Sequence, residues 1–339
     1  MSAEHYVIIG NGATANKAAE VIRTGDGEGR ITLISDEFFP FYYRHLLCQY
    51  LTGDKEESEL LVRPPSYYQE QRIRTRLGQT VVKVDFASRT LFLKHKEKVH
   101  YTALLLALGG RPRIPEVYYA WQHHFQTMKT LAEARALRKL LPSRQRILIV
   151  GGDMISIRLA NQLLAKGKEV WFMIDRHAFW PLELSAEERQ GFADYLRGQG
   201  ATVLAGDSLV RLEERPGGGY KVQSRQGLEL EVDLVGGFFG MVPNVEFLLG
   251  SGLDIEQGII ADEFLRTNIP RVYAAGDCAQ VYCPPLKNYW VSVGWANAEH
   301  LGEVAGHNLL GQGLVIEQPM ARPLSFNGLT VNTAWWRQF

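Results

Sequence analysis

The length, composition and charge of the sequence exclude several classes of protein. The chain has 339 residues, which is enough for two or three domains with their own cores. It carries 37 Lys and Arg residues against 37 Asp and Glu residues, so no net positive field attracts nucleic acid or anionic lipid. With 3 cysteines, no C-x-x-C pair and no long apolar run, it shows no disulfide framework, metal site, signal peptide or membrane span. The sequence therefore predicts a cytoplasmic α/β enzyme.

Two stretches of the sequence repeat the same order of elements. In the first, residues 6–9 are apolar enough for a buried strand, residues 13–23 have helical periodicity, and residues 31–34 form a second apolar run. The order recurs later, with apolar runs at residues 147–150 and 170–174 on either side of a glycine turn and a helical stretch. Since a strand, a glycine turn, a helix and a strand form a βαβ unit, the sequence predicts two dinucleotide-binding domains.

The first glycine turn has the residues of a nucleotide-binding loop. Gly10, Gly12 and Ala15 fit the G-x-G-x-x-G/A pattern between a strand and a helix. The first glycine makes the turn, the second lets the backbone approach a pyrophosphate, and the small third residue lets the helix pack closely on the strand. Asp36 or Glu37, at the end of the next strand, is expected to bind ribose hydroxyl groups. A purely structural glycine turn is the alternative.

The region between the two units has a different pattern. Residues 80–85 and 89–93 alternate like a small antiparallel sheet, and residues 103–108 form an apolar strand. Residues 131–141 have the spacing of an amphipathic helix that Pro142 ends. This helix is the predicted entry to the second domain.

Six further segments share residues and order with the motifs of one flavoprotein family. They are residues 41–48, 101–113, 233–244, 258–267, 272–277 and 295–298. From residue 5 to about residue 311 the chain resembles the FAD-dependent pyridine nucleotide-disulfide oxidoreductases. Within that family, Gln49 and the segment 66–73 make it most similar to the rubredoxin reductases and to the flavoprotein half of NAD(P)H nitrite reductase.

The resemblance implies a fold and a division into domains. The expected fold is a pair of doubly wound, three-layer dinucleotide-binding domains, with the second inserted in the first. Residues 1–114 and 244–311 are expected to form a discontinuous FAD-binding domain, and residues 115–243 an NAD(P)-binding domain. Residues 312–339 are expected to be a short remnant of the interface domain of the family.

The resemblance also implies an FAD site. Its expected residues are Gly10, Gly12, Ala15, Asp36, Glu37, Arg44, Gly109, Gly276 and Asp277. Arg44 is expected to lie by the flavin and Asp277 to bind the ribityl chain. A buried carboxylate at position 277 would need a hydroxyl or N–H partner, which the ribityl chain supplies. The N-cap of a following helix is the alternative role for Asp277.

The second glycine turn departs from the pattern of the family. Gly151 and Gly152 remain at the turn and Asp175 remains at the end of the second strand, as an NAD(P) site requires. Three other positions differ: Asp153 and Ser156 replace the second and third glycines, and Arg158 replaces a glutamate. A carboxylate about 4 Å from one phosphate charge costs roughly 4 kcal/mol at an effective dielectric constant of about 20. We therefore consider tight, weakened and lost NAD(P)H binding as alternatives.

Cys48 lies in the segment that faces the flavin in this family, where some members have a redox-active cysteine. Arg44 nearby would favour a thiolate. The members that the chain resembles most have serine at this position, so we expect Cys48 to be a small packing residue, with redox catalysis as the alternative. No other catalytic side chain is expected, because the chemistry is centred on the flavin.

These observations predict a function and leave a second one open. The expected function is an FAD flavoprotein oxidoreductase that passes electrons from NAD(P)H through FAD to a separate acceptor protein or domain. The alternative is an FAD-containing subunit, or a non-catalytic flavoprotein, of a larger complex with a degenerate NAD(P)H site. An oligomer is compatible with both.

Overall fold

The computed structural model describes residues 4–178, 185–291, 294–316, 323–326 and 329–332. In the described ranges the α-helices are α1 Ala13–Gly25, α2 Leu47–Leu51, α3 Pro65–Glu70, α4 Leu131–Leu140, α5 Met154–Ala165, α6 Ala186–Gly198 and α7 Trp295–Leu309. The strands of the first half are β1 His5–Ile9, β2 Arg30–Ser35, β3 Ile73–Leu77, β4 Val81–Asp85, β5 Thr90–Leu93, β6 Lys98–His100, β7 Ala103–Leu106, β8 Gly110–Pro112, β9 Arg146–Gly151 and β10 Glu169–Ile174. Those of the second half are β11 Thr202–Ala205, β12 Leu209–Glu214, β13 Tyr220–Ser224, β14 Glu229–Val232, β15 Leu234–Phe238, β16 Met241–Pro243, β17 Ile259–Ala261, β18 Val272–Ala274, β19 Ala279–Cys283, β20 Asn288–Val291, β21 Pro323–Phe326 and β22 Leu329–Asn332.

The first sheet is a five-stranded parallel sheet in the order β18-β7-β1-β2-β3. Strands β1 and β7 are almost entirely buried, as the apolar runs predict for a parallel sheet covered on both faces. Helix α1 packs against α7 beside this sheet. Strand β18 comes from the last third of the chain, so a distant segment completes the first sheet. Strand β7 ends two residues before the predicted end of its apolar run, because the chain approaches a turn at Gly109, where φ is +65°.

The second sheet has four parallel strands in the order β11-β10-β9-β15. Helix α5 connects β9 to β10, which gives the predicted second βαβ unit. The predicted α/β class with two parallel sheets is therefore confirmed. Strands β4 to β6 form the predicted small antiparallel sheet, and strands β12 to β14 form another. In the described part of the chain, none of the helices is long and apolar enough to cross a membrane.

Both parallel sheets carry the same turn after their first strand. Gly10 follows β1 with φ +128°, and a Cβ atom there would lie 2.1 Å from the carbonyl oxygen of Ala107, beyond β7. Gly151 ends β9 with φ +100°, and a Cβ atom there would lie 2.2 Å from the carbonyl oxygen of Phe238, in β15. Each turn therefore presses against the neighbouring strand and needs glycine for both its conformation and its space. The two units place their loops at the carboxyl ends of their strands, where doubly wound folds bind ligands.

Candidate functional site

A cavity of about 880 Å³ opens at the carboxyl ends of the first sheet and extends to the second unit. Its volume is at the upper end of the range for small-molecule and cofactor sites. The walls comprise residues 10–14, 35–37, 107–112, 128–130, 153–155, 240–244, 276–277 and 294–299, together with a few single side chains. The cavity therefore brings together the first glycine loop, the segment after β18 and the second glycine loop.

The amino end of α1 faces this cavity. Gly12 is the N-cap residue and has no side chain with which to cap the helix, so the first backbone N–H groups of α1 are left for a ligand. A Cβ atom added to Gly12 would meet no described heavy atom within 4 Å, which leaves room for an approaching group. Ala15 is fully buried on the inner face of α1. This is the arrangement that the glycine pattern predicts for a pyrophosphate site.

An ion pair between Glu37 and Arg44 lies in the wall of the cavity. The carboxylate of Glu37 forms an ion pair with Arg44 and accepts a hydrogen bond of 2.6 Å from the Tyr42 hydroxyl. Arg44 also donates a hydrogen bond of 3.0 Å to the carbonyl of Lys129, which fixes the guanidinium group in place. Asp36 is exposed at the cavity wall. Asp36 is thus accessible at the predicted ribose position, whereas both carboxylate oxygens of Glu37 already accept hydrogen bonds from Arg44 or Tyr42.

The structure corrects two expectations about Asp277. The side chain is 25% exposed rather than buried, so the argument from a buried carboxylate does not apply. The chain after Asp277 continues into strand β19 instead of a helix, so the N-cap alternative is wrong. Asp277 and Gly276 do line the cavity, and Gly276 lies against Thr14 at the amino end of α1. Asp277 is therefore placed where a ligand hydroxyl can reach it.

Lys129 belongs to the cavity and was missed by the sequence analysis. Its Nζ lies 3.8 Å from Oδ2 of Asp277, and burial lowers the pKa of Lys129. The side chain stands just before α4, where Thr130 and Glu133 form a capping box. The spacing of Thr130 and Glu133 marks a helix start in the sequence. That signal places Lys129 at a helix terminus, but it gives no indication that the terminus faces Asp277.

These groups fit the FAD that the resemblance implies. Two half-buried cations, Arg44 and Lys129, line the cavity together with the uncapped amino end of α1. Such donors suit the negative charges of a pyrophosphate. The same cavity is lined by three carboxylates that can accept hydrogen bonds from hydroxyl groups, those of Asp36, Glu37 and Asp277. An anionic, hydroxyl-rich dinucleotide meets complementary groups along this cavity.

The second glycine loop is organised differently. Asp153 is the N-cap residue of α5, and its Oδ1 accepts hydrogen bonds of 2.9 and 2.8 Å from the backbone N–H groups of Ile155 and Ser156. The Ser156 hydroxyl in turn accepts a hydrogen bond of 2.8 Å from the Asp153 N–H. Burial raises the pKa of Asp153. The helix donors that would hold a pyrophosphate at this loop are therefore occupied by the protein's own side chains.

Asp175 also differs from the expected ribose ligand. It is only 2% exposed, it accepts a hydrogen bond from the Tyr118 hydroxyl, and its Oδ1 accepts one of 2.7 Å from the His177 N–H. It lines a separate cavity of about 440 Å³ at the ends of β10 and β11. Gly151 and Gly152 form the predicted turn, but Asp175 is not presented to the 880 Å³ cavity. Arg158 does line that cavity, close to the carbonyl of His45.

Cys48 is a buried thiol at the edge of the large cavity. It is 4% exposed, and its Sγ lies 3.7 Å from the carbonyl oxygen of Ile155. Burial raises the pKa of Cys48 to about 12. At neutral pH the side chain is therefore a thiol, whereas nucleophilic and redox chemistry require the thiolate.

We expect the Cys48→Ser variant to keep the flavin reduction rate of the wild type. The reason is that a thiol with a pKa near 12 contributes no thiolate at neutral pH. Anaerobic stopped-flow reduction of both proteins at pH 7 measures the two rates, and alkylation of the native protein by iodoacetamide measures the thiolate. If the serine variant is reduced tenfold more slowly and Cys48 is alkylated rapidly, Cys48 takes part in redox catalysis.

Comparisons with known proteins agree with this geometry. The sequence model of the family described as pyridine nucleotide-disulphide oxidoreductase matches residues 4–299. The ferredoxin–NAD(+) reductase component of the anthranilate 1,2-dioxygenase system of Burkholderia cepacia is 31% identical over 316 residues, which are 92% of this chain and 77% of that protein. The NAD(P)H nitrite reductase of Bacillus subtilis (strain 168) is 26% identical, over 83% of this chain and 35% of its own length.

A solved structure shows the same fold. The crystal structure of a ferredoxin reductase for the CYP199A2 system from Rhodopseudomonas palustris superposes with a TM-score of 0.84. It is 28% identical and covers 92% of this chain, while this chain covers 77% of it. The predicted dinucleotide-binding fold and the predicted family resemblance are both confirmed.

Proposed function

Because the chain belongs to the pyridine nucleotide-disulphide oxidoreductase family, we propose that it is an FAD-dependent oxidoreductase that passes electrons from a nicotinamide nucleotide to a separate acceptor protein. The observation that carries this proposal is the uncapped amino end of α1 at Gly12, which opens onto a cavity that also contains Arg44, Lys129 and Asp277. FAD, when bound, supplies the ring that takes up a hydride and releases single electrons. The residues of the chain supply binding, orientation and charge.

We propose that the chain holds FAD at three points. The N–H groups at the start of α1, with Lys129, would bind the pyrophosphate, and Asp36 or Glu37 the ribose. Asp277 would accept hydrogen bonds from the ribityl hydroxyls. Arg44, oriented by Glu37, would add positive charge beside the ring or the phosphates.

The proposed domain boundaries follow from the same assignment. Residues 1–114 and 244–311 would form the FAD-binding domain, and residues 115–243 the nucleotide-binding domain. The pairing of β18 with β7 and the packing of α7 on α1 support a domain assembled from both parts of the chain. Strands β9, β10, β11 and β15 form the sheet of the inserted part.

The proposed acceptor is a ferredoxin-type protein. Two of the similar proteins are named as reductases of ferredoxins, one of them together with NAD(+). The test is reduction of cytochrome c by NADH or NADPH in the presence of the FAD-loaded protein and an added ferredoxin. We expect turnover that depends on the ferredoxin concentration. Equal rates with and without ferredoxin, across several ferredoxins, would contradict this acceptor class.

We expect Asp277→Asn to bind FAD about tenfold to a hundredfold more weakly than the wild type. A hydrogen bond to a charged group contributes about 1.5 to 3 kcal/mol, and the amide removes that charge. Equilibrium dialysis of the flavin-stripped protein measures the dissociation constant. Asp254→Asn, at an exposed position away from the cavity, is the matched control and should bind FAD like the wild type. Equal FAD dissociation constants for the wild type and both variants would show that Asp277 does not bind FAD.

A second candidate function is an FAD-containing subunit that is reduced by a protein partner and not by a nucleotide. The capping of α5 by Asp153 favours it, because the N–H groups at that loop are already hydrogen bonded. Flavin that is bleached by dithionite but by neither nucleotide would select this second function.

A further inference from the structure

We propose that Asn16 and Tyr68 are positioning residues that hold the first glycine loop in the conformation that binds the pyrophosphate of FAD. The inference rests on the proposed binding of FAD at that loop. Both side chains are buried, and neither lies in the wall of the 880 Å³ cavity. They can therefore act on a ligand only through the loop that separates them from it.

The side-chain amide of Asn16 lies on the inner side of the loop. Its Nδ2 donates hydrogen bonds of 3.1 Å to the carbonyl of Asn11 and of 3.0 Å to the carbonyl of Gly12. The same nitrogen lies 3.0 Å from Oδ1 of Asn11. The amide therefore draws two consecutive backbone carbonyls of the loop away from the cavity.

The direction of these carbonyls sets the direction of the N–H groups that follow them. In a planar trans peptide unit the carbonyl and the N–H point to opposite sides. Because the carbonyls of Asn11 and Gly12 point towards Asn16, the N–H groups of Gly12 and Ala13 point to the other side, and both residues line the cavity. A loop already fixed in this conformation loses less conformational freedom when it binds an anion.

Tyr68 fixes the orientation of the Asn16 amide. Its hydroxyl donates a hydrogen bond of 2.6 Å to Oδ1 of Asn16, and burial raises the pKa of Tyr68 to about 12, so the hydroxyl keeps its proton at neutral pH. With Oδ1 held by a donor, Nδ2 must face the loop. Asn11 extends the network, since its Nδ2 donates a hydrogen bond of 3.0 Å to the carbonyl of Phe39, close in sequence to Glu37. The network thus joins two walls of the FAD cavity.

The second unit shows the same loop without this support. Six residues after its turn glycine, where the first unit has Asn16, the second unit has the fully buried Ile157. A buried amide is costly unless its polar atoms are hydrogen bonded, and those of Asn16 are all bonded to the loop or to Tyr68. The loop with the amide leaves its helix uncapped at Gly12, whereas the other is capped by Asp153. The polar network therefore accompanies the loop that is open to a ligand.

The test measures the FAD dissociation constants of flavin-stripped variants by equilibrium dialysis. We expect Tyr68→Phe to bind FAD about threefold to tenfold more weakly than the wild type, and Asn16→Leu at least about tenfold more weakly, because one and then several hydrogen bonds are lost. Tyr101→Phe is the matched control: Tyr101 is also buried in the first unit, but its hydroxyl has no hydrogen-bond partner among the described residues. Equal dissociation constants for the wild type, Tyr68→Phe and Asn16→Leu would overturn the inference.

Urea unfolding of the flavin-stripped proteins separates positioning from a purely structural role. A lower urea midpoint of Asn16→Leu with an unchanged FAD dissociation constant would show a structural role and overturn the inference. If Asn16→Leu does not fold, Tyr68→Phe, which removes a single oxygen atom, decides the question. Because Tyr68 acts through Asn16, the double variant should bind FAD no more weakly than Asn16→Leu. A further loss equal to that of Tyr68→Phe alone would contradict this coupling.

Binding of ADP, which has a pyrophosphate but no flavin, distinguishes the failure of this inference from that of the proposed function. ADP binding that is weakened in both variants, with flavin reduction by a nicotinamide nucleotide in the wild type, supports both. The same weakening in a protein whose flavin neither NADH nor NADPH reduces would overturn the proposed function and leave the positioning role standing. Flavin reduction by a nucleotide, with equal ADP and FAD dissociation constants in the wild type and both variants, would overturn the positioning role alone.

Discussion

The Gly12→Asp variant is expected to be purified without flavin and to bind added FAD at least a hundredfold more weakly than the wild type. A carboxylate about 4 Å from a phosphate costs roughly 4 kcal/mol at an effective dielectric constant of about 20. That free energy corresponds to a dissociation constant about a thousandfold higher. The new side chain would also cap α1 and use the N–H groups that now face the cavity. Flavin absorbance per chain, and a titration of the stripped protein with FAD, measure the loss.

The fold of this variant should be retained, which makes the loss of flavin interpretable. A Cβ atom at Gly12 meets no described heavy atom within 4 Å, and aspartate is a favourable N-cap residue. Gly12→Ala is the matched control: it adds the Cβ atom without the charge and should bind FAD more tightly than Gly12→Asp. Gly10→Ala is unsuitable as a control, because its Cβ atom would lie 2.1 Å from the Ala107 carbonyl oxygen. An aspartate variant that retains full FAD occupancy would contradict the location of the pyrophosphate.

The reverse substitution in the second unit should have the opposite effect. We expect Asp153→Gly to tighten binding of NADH and NADPH by one to three decades, the range set by the same estimate of roughly 4 kcal/mol. The substitution removes the charge and releases the N–H groups of Ile155 and Ser156. Because glycine replaces a capping residue at a cost of only a few tenths of a kcal/mol, the fold should remain stable. Calorimetry of the flavin-stripped protein with NADH and NADPH measures the change.

Asp153→Asn and a pH series serve as controls for this prediction. The asparagine keeps a capping oxygen and removes the charge, so it should recover part of the affinity. Burial raises the pKa of Asp153, so protonation begins at a higher pH than for an ordinary aspartate. The affinity of the wild type should therefore rise as the pH falls towards that pKa, and that of Asp153→Gly should not. A micromolar dissociation constant in the wild type that is unchanged by Asp153→Gly would show that the loop accommodates the nucleotide around the aspartate.

Local features of the fold were predictable from the sequence. Strands β1 and β9 are short apolar runs followed by glycine, and that signal needs no knowledge of distant residues. Gly10 and Gly151 accordingly occupy the predicted turns. The presence of a carboxylate at the second glycine loop was also predictable, because the charge of Asp153 is evident from the residue type. The capping geometry was partly encoded in the spacing of Asp153 and Ser156, which the sequence analysis interpreted only as lost glycines.

Contacts between distant segments were not predictable. Lys129 approaches Asp277 although the two residues are far apart in the chain, and periodicity carries no information on such a pair. Asp175 was expected to bind ribose, but Tyr118 from a preceding loop reaches it in the folded chain. Asp277 was expected to be buried, and its exposure depends on how the strands around it pair. Local sequence sets the loops, whereas packing decides which side chains they present to a ligand.

Anaerobic titration of the FAD-loaded protein with NADPH and NADH, followed by flavin absorbance at about 450 nm, tests the central claim most directly. The expected result is complete loss of that absorbance with a nicotinamide nucleotide and its return on addition of an oxidised ferredoxin. The contradictory result is flavin that dithionite reduces fully while both nucleotides, at millimolar concentration, leave it oxidised.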